Sequence, residues 1–312
     1  MKILLTGGSG FIGSHLGEAL LDGGHEVAVL VRDPRAWRLD PWRDRAVILA
    51  GDLGSPSGWS QALGDFAPDA VAHLAWSGVA GRDRNSASQA DNISLSTDLM
   101  EIAHRAGATI FLGLGSQAEY GPREGAITPD APTAPTTAYG EAKLAAGRLL
   151  ASSAERRGMR FVWLRVFSTY GPRDNPHWLI PSLIRDLAAG KRPPMTAAEQ
   201  RWDFLHVRDA ARALRRAIEM PAARGIYNLG SGSAPPLRST AEFIRDAVDP
   251  DLPLGIGEVA YRPDQVMHLE ADISRLRRDL NWEPEIPLRE GLAETVRWYL
   301  DNLWIYDEAK AG

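Results

Sequence analysis

Short apolar runs alternate with longer amphipathic stretches through the first half of the chain. The apolar runs, which are rich in β-branched residues, are KILLTG, EVAVLV, AVILAGD, AVAHLAW, TIFLGLGS and RFVWLRV. Between them lie stretches with a helical pattern, such as SHLGEALLDGG, NISLSTDLMEIAHRAG and YGEAKLAAGRLLASSAERRG. Strands that alternate with helices predict βαβ units and a mostly parallel, buried sheet. Right-handed crossovers then give a doubly wound α/β fold.

The pattern changes after Tyr170, where prolines and glycines interrupt it. GPRDNPHW and GKRPPMTAAEQRWD have the composition of loops, and GIYNLGSG indicates one more strand that ends in a glycine turn. The apolar spacing of the second half predicts helices at 180–189, 207–219, 239–248, 273–280 and 288–300.

Glycines separate the first strand from the first helix. Gly7, Gly10 and Gly13 follow the strand directly, and the helical pattern starts at once. A dinucleotide-binding turn needs such glycines, because the strand must turn sharply, the backbone must approach a pyrophosphate and the helix must pack closely on the sheet. The free N–H groups of the helix would then face the phosphates.

These features predict a Rossmann-type doubly wound parallel sheet with a smaller C-terminal part. We expect residues 1–170 to form the dinucleotide-binding domain, with 202–230 returning to it. We expect residues 171–201 and 231–312 to form the substrate-binding part.

The end of the second strand bears on which dinucleotide is bound. An acidic residue at this place binds the adenosine ribose of NAD, whereas an arginine can hold the 2′-phosphate of NADP. Here Val31 is followed by Arg32, although the neighbouring Asp33 can also reach the ribose. We therefore expect NADP as the preferred cofactor and NAD as the alternative.

Candidate catalytic groups appear further along the chain. Tyr139 and Lys143 are four residues apart at the start of a helical pattern, so they share one helix face. A nearby ammonium favours the phenolate, which would allow the tyrosine to exchange protons near neutral pH. Ser116 ends the strand FLGLGS, where its hydroxyl can hydrogen-bond a substrate carbonyl or alcohol.

Composition and charge narrow the class of protein. A chain of 312 residues suffices for one large domain or for a domain with a smaller partner. The net charge of −5 shows no basic surplus for nucleic acid or an anionic membrane. The absence of cysteine excludes disulfides, thiolate metal sites and cysteine nucleophiles, and no metal site is predicted. Without a signal-peptide pattern or an apolar run of about 20 residues, we expect a cytoplasmic protein.

The motifs together resemble the extended short-chain dehydrogenase/reductase family, and within it the nucleotide-sugar epimerase/dehydratase/reductase branch. The resemblance covers nearly the whole chain. It rests on TGGSGFIG, HLAW, GSQAEYG, YGEAK, LRVFSTYGP, WDFLHVRDAARA, YNLGSG, RPD with ADISRL, and LNWEPEIPLREGL.

The resemblance implies a role for each matching position. Tyr139 would exchange a proton with the sugar oxygen, Ser116 would orient that oxygen, and Lys143 would hold the nicotinamide ribose and lower the tyrosine pKa. The cofactor would contact Gly7, Gly10, Phe11, Ile12, Gly13, Arg32, Asp52, Leu53, Phe167 and Ala75, the last with its neighbours Trp76 and Ser77. The substrate, a nucleotide-diphosphate sugar, would contact Ser168, Asn175, Arg201 and Arg262.

Two positions depart from the family pattern. Ser168 stands where epimerases of the family often have asparagine, and Trp202 stands where an arginine is expected.

The residues after Ser116 narrow the reaction. The resemblance implies an Asp-Glu pair there in 4,6-dehydratases and a glutamate in decarboxylating relatives, whereas this chain has Gln117 and Ala118. A glutamine amide is neither an acid nor a base at neutral pH. Two reactions remain: reduction of an NDP-4-keto-6-deoxyhexose by NADPH, which Arg32 favours, and NAD-dependent 4-epimerisation.

Two other functions fit part of the pattern. One is the reduction of an uncharged non-sugar ketone, against which YRPD and WDFLHVRD argue. The other is a non-catalytic NADP-binding sensor, which would not need Ser116, Tyr139 and Lys143. Homodimers are usual in the family, and the expected interface helices are those that contain 92–104 and that start at Tyr139.

Overall fold

The computed structural model describes residues 1–79, 81–262 and 265–308 of the chain. The strands are β1 (Lys2–Thr6), β2 (Glu26–Val31), β3 (Val47–Ala50), β4 (Ala70–His73), β5 (Ile110–Ser116), β6 (Ala126–Ile127), β7 (Arg160–Val166), β8 (Ser168–Tyr170), β9 (Pro194–Met195), β10 (Arg201–Trp202), β11 (Phe204–His206), β12 (Gly225–Leu229), β13 (Gly255–Ile256) and β14 (His268–Ala271). The helices are α1 (Phe11–Asp22), α2 (Ser60–Phe66), α3 (Asp91–Arg105), α4 (Ala138–Arg156), α5 (Leu179–Ala188), α6 (Val207–Glu219), α7 (Leu237–Val248), α8 (Ser274–Leu280), α9 (Leu288–Asp301) and α10 (Leu303–Glu308).

Seven parallel strands form the central sheet, in the order β12-β7-β5-β4-β1-β2-β3. From β1 the chain adds β2 and β3 on one side, and then crosses back to add β4, β5, β7 and β12 on the other. The strand order therefore reverses between β1 and β4. In such sheets ligands bind at the carboxyl ends of the strands beside this reversal. The doubly wound fold predicted from the sequence is confirmed.

Alternating side chains of the strands fill two cores on opposite faces of the sheet. In β1, Ile3 and Leu5 enter one core and Leu4 enters the other, because successive side chains of a strand point to opposite faces. Helices α1 and α6 cover the first face, and α3 and α4 cover the second. Both faces are therefore dry, which explains why the strands are continuous apolar runs.

A third core lies in the C-terminal part, between α5, α7 and α9. The helices predicted in the second half agree with α5 to α9 to within two residues at each end. The stretch 190–203, interpreted as a loop, contains the two-residue strands β9 and β10, which pair with β13 and β14. Strands of two residues are too short to show an alternating pattern in the sequence. Their pairing partners also lie far along the chain.

Strand β12 pairs with β7 at the edge of the central sheet. The division into a dinucleotide-binding part and a substrate-binding part stays a proposal, and this pairing supports the return of 202–230 to the first part. Within the described residues, every helix is too short or too polar to cross a lipid bilayer.

The burial of β1 generates a stability prediction. Leu4 is fully buried, so Leu4→Ala removes apolar contacts and leaves a cavity, and the free energy of unfolding should fall by about 2–5 kcal/mol. Leu149 on α4 is 51% exposed, and Leu149→Ala should cost less than about 0.5 kcal/mol. Urea unfolding followed by circular dichroism measures both. Equal losses in the two variants would contradict the buried position of Leu4.

Candidate active site

The turn between β1 and α1 is built around glycine backbone. Gly7 has a φ of +76°, and a Cβ there would lie 2.6 Å from the backbone nitrogen of Ala75. A Cβ on Gly13 would lie 2.0 Å from the carbonyl oxygen of Gly7. Glycine at both positions is therefore required by the left-handed turn and by the close packing of the helix on it.

Helix α1 presents a free N-terminus at this turn. Gly10 precedes the helix without a side-chain cap, and no acidic residue lies in the first turn, where Phe11 and Ile12 are half-buried. The first N–H groups of a helix have no partner within the helix, and the helix dipole favours negative charge there. The glycine turn and this helix end together fit a pyrophosphate, as the sequence predicts for Gly7, Gly10 and Gly13.

The carboxyl ends of β2 and β3 bring Arg32 and Asp52 together. Nε of Arg32 lies 3.9 Å from a carboxylate oxygen of Asp52, and the Arg32 side chain is 81% exposed. Asp33 accepts a hydrogen bond from the backbone N–H of Arg35, so its carboxylate shapes the local turn. The neighbouring Leu53 is half-buried and packs on the second core. An exposed guanidinium with one weak ion pair remains open to a further anion.

Ser116 and Tyr139 meet at the carboxyl end of β5. Thr137 caps α4 by accepting a hydrogen bond from the N–H of Gly140. A Cβ on Gly140 would lie 2.6 Å from the carbonyl oxygen of Ala118, so glycine lets α4 start directly against the turn that follows Ser116. As a result, the Ser116 hydroxyl lies beside the Tyr139 phenol, and both side chains are buried.

Lys143 lies one helical turn further on, in a dry environment. Its Nζ donates to the carbonyl oxygen of Leu114 at 2.8 Å and lies 3.7 Å from the ring centre of Trp76. Burial lowers the pKa of the Lys143 ammonium to about 7, against an opposing contribution from the charge of Glu119. Nζ is 6.0 Å from the ring centre of Tyr139.

The pKa of the Tyr139 phenol reflects burial more than any charge. Burial raises the pKa above its ordinary value, and the neighbouring Ser116 hydroxyl and the charge of Arg84 oppose that rise. Among the side chains that the structure describes, the closest cation to the Tyr139 ring is Arg84, whose guanidinium carbon lies 4.3 Å from the ring centre.

The segment after β4 was largely missed by the sequence reasoning. Trp76 was assigned only to the cofactor path, yet its ring packs edge-on against Tyr139 at 6.3 Å. Gln89, which is buried, accepts a hydrogen bond from the Trp76 indole and donates to the carbonyl oxygens of Gly78 and Asp83. The sequence does not single out Arg84, because this residue lies in a polar loop without hydrophobic periodicity.

Glu119 is the second feature that the sequence did not reveal. Its carboxylate accepts hydrogen bonds from the backbone N–H of Ser116, from the indole of Trp163 and from Nε of Arg165 at 2.6 Å. Glu119 and Arg165 are almost fully buried. This carboxylate is held in the core and fixes the Ser116 turn.

The remaining predicted site residues lie in several places. Phe167, which was predicted to contact the cofactor, is buried beside Tyr120. Ser168, a predicted substrate contact, accepts a hydrogen bond from the Trp202 indole at 2.7 Å. The other predicted substrate contacts are Asn175, which accepts a hydrogen bond from the N–H of His177, and two exposed arginines, Arg201 and Arg262. Pro263 and Asp264 of the YRPD motif lie outside the described residues.

Comparison with known proteins identifies the family of the chain and agrees with the fold. The chain belongs to the NAD dependent epimerase/dehydratase family, whose model matches residues 3–230. A dTDP-glucose 4,6-dehydratase from Streptomyces niveus is 30% identical, and the match covers 97% of this chain and 94% of that protein. A UDP-glucose 4-epimerase from Corynebacterium glutamicum is 28% identical, with 99% and 96% covered.

A solved structure extends the comparison to three dimensions. A double mutant of the dTDP-glucose 4,6-dehydratase DesIV from Streptomyces venezuelae, with NAD bound, has a TM-score of 0.85. It is 25% identical, and the match covers 99% of each chain. The resemblance to the extended short-chain dehydrogenase/reductase family is thus confirmed, and the protein is an enzyme of that family.

The glycine turn generates a prediction about cofactor binding. In Gly13→Ala the added Cβ meets the Gly7 carbonyl oxygen, so the affinity for NAD and NADPH should fall by about 100-fold or more. Gly64→Ala is the matched control, because a Cβ on Gly64 in α2 meets nothing within 4 Å. Isothermal titration calorimetry measures both affinities. Parent-like binding by the Gly13 variant would refute the assignment of this turn.

Proposed function

We propose that this protein is a nicotinamide-dinucleotide-dependent oxidoreductase acting at C4 of a nucleotide sugar, and specifically a 4-ketoreductase of an NDP-4-keto-6-deoxyhexose. One observation carries the proposal. The neighbouring side chains of Ser116 and Tyr139 lie beside Lys143 at the sheet edge, while Gln117 and Ala118 follow Ser116. This set can exchange a proton at one oxygen and has no group for elimination.

Glu119 strengthens the case against dehydration. Its position, three residues after Ser116, suggests a replacement for the missing acid-base pair of the dehydratases. However, both carboxylate oxygens accept hydrogen bonds inside the core, from the Ser116 N–H, Trp163 and Arg165. If the Glu119 carboxylate moved out of this position, the Arg165 charge would stay buried without a partner. That would cost about 3–5 kcal/mol. The protein would therefore not repeat the reaction of its dehydratase relatives.

The proposed reduction follows from the arrangement of the side chains. The Ser116 hydroxyl orients the C4 carbonyl oxygen, and the Tyr139 phenol donates its proton to that oxygen as C4 becomes tetrahedral. Solvent then returns a proton to the phenolate. A bound nicotinamide dinucleotide would supply the hydride that C4 accepts. Burial of Tyr139 and Lys143 keeps water from the reacting atoms.

Two observations point to different cofactors. Arg32 is exposed at the end of β2, where a 2′-phosphate would be bound, and this supports NADP. The DesIV relative was solved with NAD, and nothing in the comparisons adds to the case for NADP. We propose Arg32 as the residue that decides between the two dinucleotides in this chain.

The substrate would lie between β5, β8 and the C-terminal part. We propose that Arg262 and Arg201, both exposed, approach the sugar-nucleotide pyrophosphate, and that Ser168 and Asn175 face the sugar. Trp202 is held against β8 by its hydrogen bond with Ser168, so its indole offers a flat apolar surface.

A 4-epimerase is the second candidate function. It needs the same Ser116, Tyr139 and Lys143, and the relative from Corynebacterium glutamicum carries that name. Homodimerisation also stays a proposal: α3 and α4 pack side by side, and Leu149 on α4 is exposed.

Two assays test the proposed function. A 4-ketoreductase should consume NADPH or NADH in equal amount with a dTDP-4-keto-6-deoxyhexose. An epimerase should instead interconvert UDP-glucose and UDP-galactose without net use of cofactor. Tyr139→Phe should lower the kcat of either reaction by about 100-fold or more, because the proton donor is lost. Turnover of uncharged aromatic ketones alone, or cofactor binding without any turnover, would overturn the proposal.

Arg32 generates a separate prediction about cofactor specificity. If its guanidinium binds the 2′-phosphate, Arg32→Ala should raise the KM for NADPH by about tenfold and leave the KM for NADH within about twofold. Arg45→Ala is the control, because Arg45 also forms an exposed ion pair, with Asp22. Initial-rate kinetics with each cofactor measure the two KM values. Equal changes in both would show that Arg32 does not bind the 2′-phosphate.

A further inference from the structure

Among the described side chains, the cation nearest to the Tyr139 ring comes from the loop after β4. The guanidinium carbon of Arg84 lies 4.3 Å from the ring centre, whereas Nζ of Lys143 lies 6.0 Å from it. At 4.3 Å a guanidinium is in contact with the face of the ring, at the distance of a favourable cation–π interaction. Tyr139 is thus bracketed by Arg84 on its face and by the edge-on ring of Trp76.

The amine of Lys143 contacts groups other than the Tyr139 phenol. Its Nζ donates to the Leu114 carbonyl oxygen and lies over the Trp76 ring at 3.7 Å. With a pKa lowered by burial to about 7, a large share of this amine is neutral at neutral pH. An arginine keeps its charge at any pH that a protein tolerates. Arg84 is therefore the more constant positive charge beside the phenol.

The loop that carries Arg84 is held by its own hydrogen bonds. Gln89 binds Gly78, Asp83 and the Trp76 indole, and Asn92 of α3 accepts a hydrogen bond from the N–H of Ser77. Gly78 has a positive φ, and a Cβ there would lie 2.5 Å from the Gln89 amide nitrogen. These hydrogen bonds stabilise the turn that places Arg84 over Tyr139.

Within the part of the chain that the structure describes, charged groups approach the Tyr139 phenol from three elements. From its own helix there is Lys143, from the turn after β5 there is Glu119, and from the loop after β4 there is Arg84. Glu119 disfavours the phenolate, but Arg165 is bound to it and offsets its charge. Among the described residues, no carboxylate forms an ion pair with Arg84, so its charge is not offset in the same way.

We propose that Arg84 is a positioning residue that stabilises the Tyr139 phenolate, taking over much of the electrostatic role that the family assigns to the helix lysine. The inference rests on the proposed function of Tyr139 as proton donor. When Tyr139 gives its proton to the substrate oxygen, a negative charge is left on the phenol, and the guanidinium above the ring lowers the free energy of that state.

A titration that needs no substrate tests this inference. Tyr139 is replaced by 3,5-difluorotyrosine in the full chain, which brings the phenol pKa into a range where the protein stays folded, and ¹⁹F NMR follows the phenol against pH. In Arg84→Gln the phenol pKa should rise by about one unit. In Arg84→Lys, which keeps the charge, it should rise by less than about half of that.

Arg156→Gln is the matched control. Arg156 is an exposed arginine on the same helix, 17 residues from Tyr139 and therefore about 25 Å away along the axis. This variant removes the same charge and should leave the phenol pKa unchanged. The proposal is overturned if Arg84→Gln leaves the pKa unchanged, if Arg156→Gln shifts it equally, or if Arg84→Lys behaves like Arg84→Gln.

Kinetics supply an independent readout if the proposed reaction is observed. Arg84→Gln should lower kcat by about tenfold at neutral pH, move the pH profile of kcat to higher pH, and leave KM within about threefold. A rise in KM alone, with an unmoved titration, would make Arg84 a substrate ligand and refute the inference. Because the titration requires no turnover, a failure of the proposed function would not be confused with a failure of this one.

Discussion

The close approach of two backbone segments, at the place where the strand order reverses, organises the whole site. Gly7 lies so near the Ala75 backbone that no side chain fits between them, and Gly13 lies equally near Gly7. This contact pins the start of α1 and the exit of β4 together at the carboxyl edge of the sheet. The glycine turn, which we propose to bind the cofactor phosphates, thus lies on one side of the reversal, and the segment that carries Trp76 and Arg84 begins on the other.

Burial then sets the electrostatics of the reacting groups. Tyr139 and Lys143 lie in a region where charge is costly, so each is displaced toward its neutral form. The neighbouring charges that remain are paired or fixed: Glu119 is bound to Arg165, and Arg84 is stacked on the phenol. In a dry site each of these contacts has more effect than it would in water, which is why we propose a role in proton transfer for the loop after β4.

The chain has the fold of its dehydratase and epimerase relatives, and the set of reacting side chains that we propose for it is small. The turn after Ser116 carries an amide and a methyl group, at Gln117 and Ala118, and the nearby carboxylate of Glu119 serves the core. The proposed reacting set is Ser116, Tyr139 and Lys143. This set would support a hydride exchange at a single carbon, with a proton exchanged at its oxygen.

Local pattern determined much of this protein. The buried strands, the glycine turn and the helices of both halves follow from apolar spacing and from glycine positions, because these act over a few residues. The meeting of Ser116 with Tyr139 was also foreseeable, since both lie at strand or helix ends on one edge of the sheet. The tertiary structure alone decided the pairing of Glu119 with Arg165, the site of the Lys143 amine over Trp76, and the stacking of Arg84 on Tyr139. Those contacts join residues that are up to 67 positions apart in the sequence, so no local pattern links them. Only the packed fold brings these side chains within a few ångströms of each other.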